Sequence, residues 1–532
     1  MPSPVRDRHS IQASCDVLIE SRRRDASAAI ESRRREVPIV IETGRCQEGL
    51  SQYSMDSATG PHVRRLDDWD DDRLASLAAT HGTPLYVLDL DRIRENYRRL
   101  ASAFPETTCC YAVKANALGR VLETILDLGG HLECAAAGEV YRAFEAGATG
   151  DRVHYTAVNP PAEDLDYVVD RWEEAPDLTV VAGAEDTIDR LAARGYDGRL
   201  ALRVNPGVGA GHHADVRTGG DVTFGIPANA LVETAETAVD RGFDLVGIHG
   251  HVGSGFLDDD LEAHRRFLSS VVELAGAVVD AVGPLEFVDV GGGFGVPYRW
   301  TEVPLDVAAV AGAIRDVTSE LNARVMIEPG RYLVADAGVL LTRTNTIKET
   351  PSSRIVGVDA GMTTLARPAI YDAYHEIRPI GAAERDDRTG SDEPVDDGSA
   401  GKERLPQTIA GPICEGTDVF CSDRQLPRID RGDLLAVGNA GAYGYEMASV
   451  YNSRPRPATV TLSAGDASVA RRRERFADLV RLERSDSADE GSGDQVDEEP
   501  LDSTTYEEPG DSAINERPGE PTIDEVDRGG TG

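Results

Sequence analysis

CYAVKANALGRVLETILDLGGHLECA, residues 110–135, contains one complete turn of the pattern that decides the fold. CYAVKA (110–115) is a short β-rich run. Leu118, Val121, Leu122, Ile125 and Leu128 then recur at helical spacing, Gly129 ends the helix, and GHLECA (130–135) begins the next strand. Outward from this unit the alternation continues through RVHYTA (152–157), LTVVAG (178–183), ALRVNP (201–206), LVGIHGHVG (245–253), EFVDVGGG (286–293) and RVMIEPG (324–330). Eight such β/α units predict an α/β fold, a (β/α)8 TIM barrel rather than an open doubly wound sheet, which usually has fewer parallel strands. From about residue 336 the texture changes to runs such as RIVGVDAG and ATVTLSA without intervening helices, which predicts an all-β C-terminal domain of Greek-key or β-sandwich-like kind.

The length of 532 residues accommodates these two domains and extensions at both ends. We assign 61–335 to the barrel, with its N-terminal segment joining the β-domain, and 336–470 to the β-domain, interrupted by a polar acidic insertion at 384–404. Residues 1–60, in which IESRRR occurs at 19–24 and again at 30–35, receive no fold, and Met55 is a plausible true start. The acidic stretch 471–532 reads as a disordered tail by composition.

Asp and Glu number 93 against 55 Lys and Arg, a formal net charge of −38. Such a surface repels phosphate backbones, so neither nucleic acid nor an anionic membrane is expected as partner. Only Lys114, Lys348 and Lys402 are lysines; every other basic residue is arginine. An acidic, lysine-poor composition resembles that of halophilic proteins, which work in molar salt, where a Debye length of about 3 Å screens self-repulsion. Seven cysteines, no apolar stretch approaching 18 residues and no signal segment predict a cytoplasmic protein without a disulfide framework.

In such a barrel the chemistry belongs at the carboxyl-terminal ends of the strands, where the unusual residues cluster. Lys114 ends the first run in a chain that otherwise avoids lysine. Buried there, it could have a depressed pKa and attack a carbonyl cofactor to form a Schiff base. Gly291, Gly292 and Gly293 follow the seventh run and Glu328, Pro329, Gly330 and Arg331 the eighth, the usual phosphate site of this architecture. Glu328 could partner a cationic ring nitrogen. His249 and His251 project to one side of the sixth run, where one could stack on a planar ring while Ser254 meets a phosphate. Two histidines without a neighbouring cysteine or carboxylate cluster do not make a zinc site, so no metal is expected.

YAVKAN, HGHVGSG, GGGFG, EPGR, RPAIYDAYH (367–375), GPICEGTD (411–418) and AGAYGYEMASVYNSRPRP (440–457) together resemble the diaminopimelate decarboxylases, in the alanine-racemase-like class of pyridoxal-phosphate enzymes. The match runs in order from about 65 to 465. The resemblance implies a homodimer with shared active sites that decarboxylates meso-diaminopimelate to L-lysine, with pyridoxal 5'-phosphate on Lys114 and His251 against its ring. It further implies Glu328 at the ring nitrogen, the phosphate held by Ser254, Gly291–Gly293 and Gly330, and Pro329 within the same cofactor-binding motif. Arg331, Arg367 and Tyr371 would bind substrate, Tyr443 would contact both cofactor and substrate, and Cys414 and Glu415 would reach in from the partner subunit. Cys414 is the candidate proton donor, and Glu415 could meet a distal ammonium. Gly255 stands where the family often has glutamine, and Thr223 where lysine is frequent. Rival readings are an ornithine, arginine or carboxynorspermidine-type decarboxylase of the same fold, or a non-catalytic cofactor-binding regulator.

Overall fold

The computed structural model describes residues 63–207, 224–251, 253–257, 260–351, 353–381 and 404–483. The IESRRR repeat, Met55, Thr223, all of the acidic insertion except Arg404, and the tail from 484 onward lie outside these residues.

The first strand, β1 (Leu85–Asp89), belongs to the second domain. The barrel follows as β2 (Thr108–Ala112), β3 (His131–Cys134), β4 (Val153–Tyr155), β5 (Thr179–Ala182) and β6 (Arg199–Asn205), with a two-residue β7 (Ile226–Pro227) beside β6, then β8 (Asp244–His249), β9 (Phe287–Asp289) and β10 (Arg324–Ile327). Each of the eight principal strands pairs in parallel with the next, and β10 pairs with β2 to close the cylinder. Strands buried on both faces must be apolar throughout, which is why the runs stood out in the sequence. Cys110, Val181, Ala201, Val246, Phe287 and Met326 fill the interior as one cluster, while their neighbours Tyr111, Val180 and Ala182 pack outward beneath the helices. Successive residues thus serve two different cores, as a period of two requires. The helix expected after the first run spans Gly119–Asp127 and ends with Gly129 at φ +86° and the Gly130 N–H donating to the Ile125 carbonyl.

The second domain contains β11 (Gly338–Glu349), β12 (Arg354–Val358), β13 (Ile377–Pro379), β14 (Arg404–Ala410), β15 (Val419–Pro427), β16 (Leu434–Val437), β17 (Ala458–Ser463) and β18 (Asp466–Arg471). With β1 they form one nine-stranded sheet in which β1–β17 and β12–β14 are parallel and the other pairs antiparallel. The long β11 is its hub, pairing with β1, β12 and β16. Both faces are covered: Tyr86 and Leu340 point into one core, while Leu85, Val87, Val339 and Leu341 join Leu66, Trp69 and Leu74 in the other. A central strand buried on both sides explains why the segment before the barrel is built into this domain.

Order extends past the boundary of 470 expected from composition. β18 ends at Arg471, Arg473 donates to the Pro84 and His81 carbonyls, and Glu474 accepts from the backbone and side chain of Arg456. Specific ion pairing, which composition does not register, anchors this part. The chain divides into a unit ending at Phe476 and another from Ala477; in the latter the described residues end with a 3-10 turn at Arg481–Glu483. No helix among the described residues is long and apolar enough to cross a membrane.

Candidate active site at the barrel mouth

β2 ends at Ala112, and a single 3-10 turn, Val113–Ala115, carries Lys114 at the carboxyl-terminal end of the barrel. Lys114 is therefore in the turn after the strand, not in the strand itself. Its Nζ lies 2.6 Å from Glu133 Oε2 on β3. Burial works to lower the ammonium pKa, as the sequence reading anticipates, but the structure reverses that expectation. Glu133, Glu328 and Tyr443 together hold the pKa above the ordinary lysine value. Glu133 is itself pushed up by burial against the pull of Lys114.

Glu328 follows β10 and is buried, its Oε2 3.2 Å from His249 Nε2 and 3.8 Å from His251 Nδ1. Burial would raise its pKa; His249 and Lys114 outweigh it and hold the carboxyl below the usual range, so Glu328 is ionised at neutral pH. Burial lowers His251 to about 3, leaving the ring neutral. Its Nδ1 accepts the Gly292 N–H at 3.1 Å, which places the ring proton on Nε2.

The expectation that no carboxylates lie near these histidines is corrected here. His249, Asp289 and Glu328 bring one ligand atom each to within 4.8 Å of one another. They come from adjacent strands far apart in sequence, so spacing could not reveal them. His249 and Glu328 are already hydrogen-bonded to each other, and Asp289 accepts the Gly291 N–H at 2.8 Å. Burial and the nearby Glu328 raise the Asp289 pKa, against the pull of the Gly291 N–H.

The glycine run works by close approach. A Cβ on Gly291, at φ +72°, would lie 2.5 Å from the Gly250 carbonyl, and one on Gly292 would collide with the Glu328 carbonyl. The N–H groups of Gly291 and Gly292 were expected at phosphate; the structure commits them to Asp289 and His251, because the strands converge there. The Pro329 carbonyl accepts from Ala112 N–H at 3.3 Å, and a side chain at Gly330 would meet the Cβ atoms of Ala112 and Ala115 at 3.1 and 3.2 Å. The motif thereby packs directly beneath the lysine turn.

A second group surrounds two buried arginines. Arg331 donates to Tyr298 Oη at 2.8 Å and to Ser254 Oγ at 3.2 Å, and it lies 4.8 Å from the ring centroid of Tyr443. Its Nε has no hydrogen-bond partner among the described residues. Tyr371 is close enough to Arg331 to act on its charge. Arg367 opens a short helix (Arg367–Tyr371), is buried, and places Nη1 2.9 Å from His375 Nε2. Tyr443 adopts φ +54°, costly for a side chain with a Cβ by roughly 1–2 kcal/mol. Its N–H donates to the Ala115 carbonyl at 2.8 Å, tying this strained residue to the lysine turn.

Cys414 and Glu415 form a third, exposed group. Cys414 Sγ lies 3.4 Å from Asn452 Nδ2, and Glu415 accepts from the Tyr451 hydroxyl. Asp418 shapes this turn by accepting the Ile413 and Met362 N–H groups, both at 2.6 Å. The structure thus brings Lys114, His251 and Glu328 together, sets Ser254, Arg331, Arg367, Tyr371 and Tyr443 beside them, and gives Cys414 and Glu415 contacts of their own. Sequence reasoning missed Glu133, Asp289, Tyr298 and His375 as site residues. For the first two there is a usable signal, a lone acid inside an otherwise apolar strand; Tyr298 meets Arg331 and Arg367 only in the folded chain, so its part in the site leaves no such mark.

Residues 90–335 match the family described as pyridoxal-dependent decarboxylase, pyridoxal binding domain. The diaminopimelate decarboxylase of Methanothermobacter thermautotrophicus is 42% identical over 419 residues, covering 76% of this chain and 92% of that protein. The chain belongs to the diaminopimelate decarboxylase family. Among solved structures, diaminopimelate decarboxylase from Helicobacter pylori complexed with L-lysine aligns with TM-score 0.69 and 31% identity, covering 77% of this chain and 99% of that one. The arginine decarboxylase of Paramecium bursaria Chlorella virus, TM-score 0.64 at 20% identity over 74% of this chain and all of that one, shares the fold.

Members of the diaminopimelate decarboxylase family are pyridoxal-phosphate carboxy-lyases, and the residues here fit that cofactor. An ionised, buried Glu328 suits a protonated ring nitrogen, a lysine amine stands in the same pocket, and Arg331 retains an unused donor beside the glycine-lined strand ends.

Proposed function

We propose that the protein removes CO2 from meso-diaminopimelate to give L-lysine, the last step of lysine biosynthesis, using pyridoxal phosphate at Lys114. The observation that carries this reading is the pair of buried guanidiniums, Arg331 and Arg367, beside the Lys114–Glu328 cluster. An amino-acid decarboxylase acting on a substrate with a single carboxylate needs no such second anion site; a substrate retaining one carboxylate after losing another does.

When bound, pyridoxal phosphate supplies an electron sink for the carbanion left by loss of CO2. Lys114 Nζ provides the attachment point, and Glu133 holds its proton until it is needed. Glu328 would keep a proton on the ring nitrogen of the bound cofactor. His251, fixed by Gly292, presents a neutral ring face, and Ser254, Gly293 and Gly330 remain to cradle the phosphate. Arg331 and Arg367 orient the retained carboxylate, with Tyr371 and Tyr443 closing the pocket around it. Cys414 Sγ delivers the proton that replaces CO2, and Glu415 receives the distal ammonium.

Cys414 and Glu415 serve the partner's pocket in a homodimer. Their exposure beside Val450 and Tyr451, apolar surfaces 46% exposed, supports this. Cys414→Ala should retain cofactor colour but slow product formation about 10²-fold or more. Mixing Cys414→Ala with Lys114→Ala subunits should restore activity, because one pocket of each mixed dimer is then intact. Absence of recovery in verified mixed dimers counts against sharing.

The protein acts in a cytoplasm of high salt. The net charge of −38 repels itself in dilute buffer. The melting temperature should rise from low-salt buffer to molar KCl; a flat response refutes the halophilic reading. The function itself is tested by supplying cofactor-loaded protein in molar KCl with meso-diaminopimelate, ornithine or arginine and measuring CO2. Release from the first alone is expected, and preferential release from ornithine or arginine would transfer the assignment.

A further inference from the structure

Arg331 and Arg367 are 8% and 4% exposed, and none of the hydrogen-bond partners of their guanidiniums among the described residues, Tyr298, Ser254 and His375, is a carboxylate. Two buried cations without a carboxylate are expensive and need something to hold them in place. Tyr298 lies between them. Arg331 donates to its hydroxyl at 2.8 Å, Arg367 lies 4.8 Å from its ring centroid, and both guanidiniums stabilise the phenolate form. His375 is fully buried behind this pair. Its Nδ1–H donates to the Gly438 carbonyl at 2.8 Å, which fixes the tautomer and leaves Nε2 as an acceptor for Arg367 Nη1 at 2.9 Å. The Tyr298 ring meets His375 edge to face at 5.3 Å, so the two residues brace each other.

We propose that Tyr298 and His375 are positioning residues that aim Arg331 and Arg367 at a single carboxylate, the one the substrate keeps. The inference rests on the reading of these arginines given under Proposed function. Neither residue need touch substrate: Tyr298 offers one oxygen and His375 one nitrogen, and both are engaged by the guanidiniums. A guanidinium fixed on two sides binds a carboxylate bidentately without first losing side-chain freedom, so removing either brace weakens carboxylate-bearing ligands selectively.

The matched probes are L-lysine, which carries that carboxylate, and 1,5-diaminopentane, which has the same two amines without it. Both are measured as inhibitors of the cofactor-loaded enzyme in molar KCl, in the wild type, Tyr298→Phe, His375→Leu and His375→Gln. L-lysine should weaken about tenfold in Tyr298→Phe and His375→Leu, while 1,5-diaminopentane stays within about twofold. His375→Gln should recover most of the L-lysine affinity, since the amide oxygen can accept from Arg367. Equal weakening of both ligands would indicate general damage to the pocket and overturn the inference, as would unchanged L-lysine inhibition in Tyr298→Phe, the variant least disruptive to packing. A wild type that cannot distinguish the two ligands would instead overturn the two-arginine carboxylate reading and the inference with it.

Discussion

Replacing Lys114 by alanine should abolish the visible absorbance of lysine-bound cofactor and reduce turnover by a factor on the order of 10⁴. Lys114 Nζ is the amine the structure sets against Glu133 and Glu328, and no other lysine exists among the described residues except Lys348, on β11 of the other domain. The variant should still fold. Burial already pushes Glu133 toward its neutral form, so when the ammonium is removed the carboxyl can take up a proton rather than remain an uncompensated charge. Borohydride reduction followed by peptide mass spectrometry provides the direct check: a pyridoxyl adduct on Lys114 in the wild type and none in the variant. An adduct on another residue, or substantial turnover by the variant, would displace Lys114 from this role.

Replacing Glu328 by glutamine should leave the cofactor attached while lowering kcat about 10²- to 10³-fold, comparable to the loss of one electrostatic stabiliser in a water-excluded site. The carboxylate is ionised because His249 and Lys114 together overcome the cost of its burial, and the amide carries no charge to hold a proton on the ring nitrogen. The shape of the site should survive, since the tight contact with Gly292 involves the Glu328 backbone carbonyl rather than its side chain. Absorbance should therefore report normal loading while CO2 release falls. A rate within about twofold of the wild type would show that the ring nitrogen needs no anionic partner here.

The barrel was legible because parallel strands buried on both faces leave continuous apolar runs, and the eight runs recognised in the sequence are the eight strands that close it. The residues at the ends of those runs, Lys114, His251 and Glu328, could be chosen before their geometry was known for a related reason. Polar residues that terminate buried strands in this architecture face the pocket. The motifs RPAIYDAYH and GPICEGTD carried the resemblance that added Arg367, Tyr371, Cys414 and Glu415.

Short-range patterns therefore determined the strands and the helix period, and they singled out Lys114 at the end of the first run. Tertiary structure alone decided the charge states and partnerships. Glu133 raises a lysine pKa that burial should depress, Asp289 and Glu328 meet His249 from neighbouring strands, and Tyr298 comes between two arginines 33 and 69 residues away in sequence. The physical reason is that periodicity reflects which face of one element is buried, whereas a pKa depends on which charges several elements bring within a few ångströms of one atom.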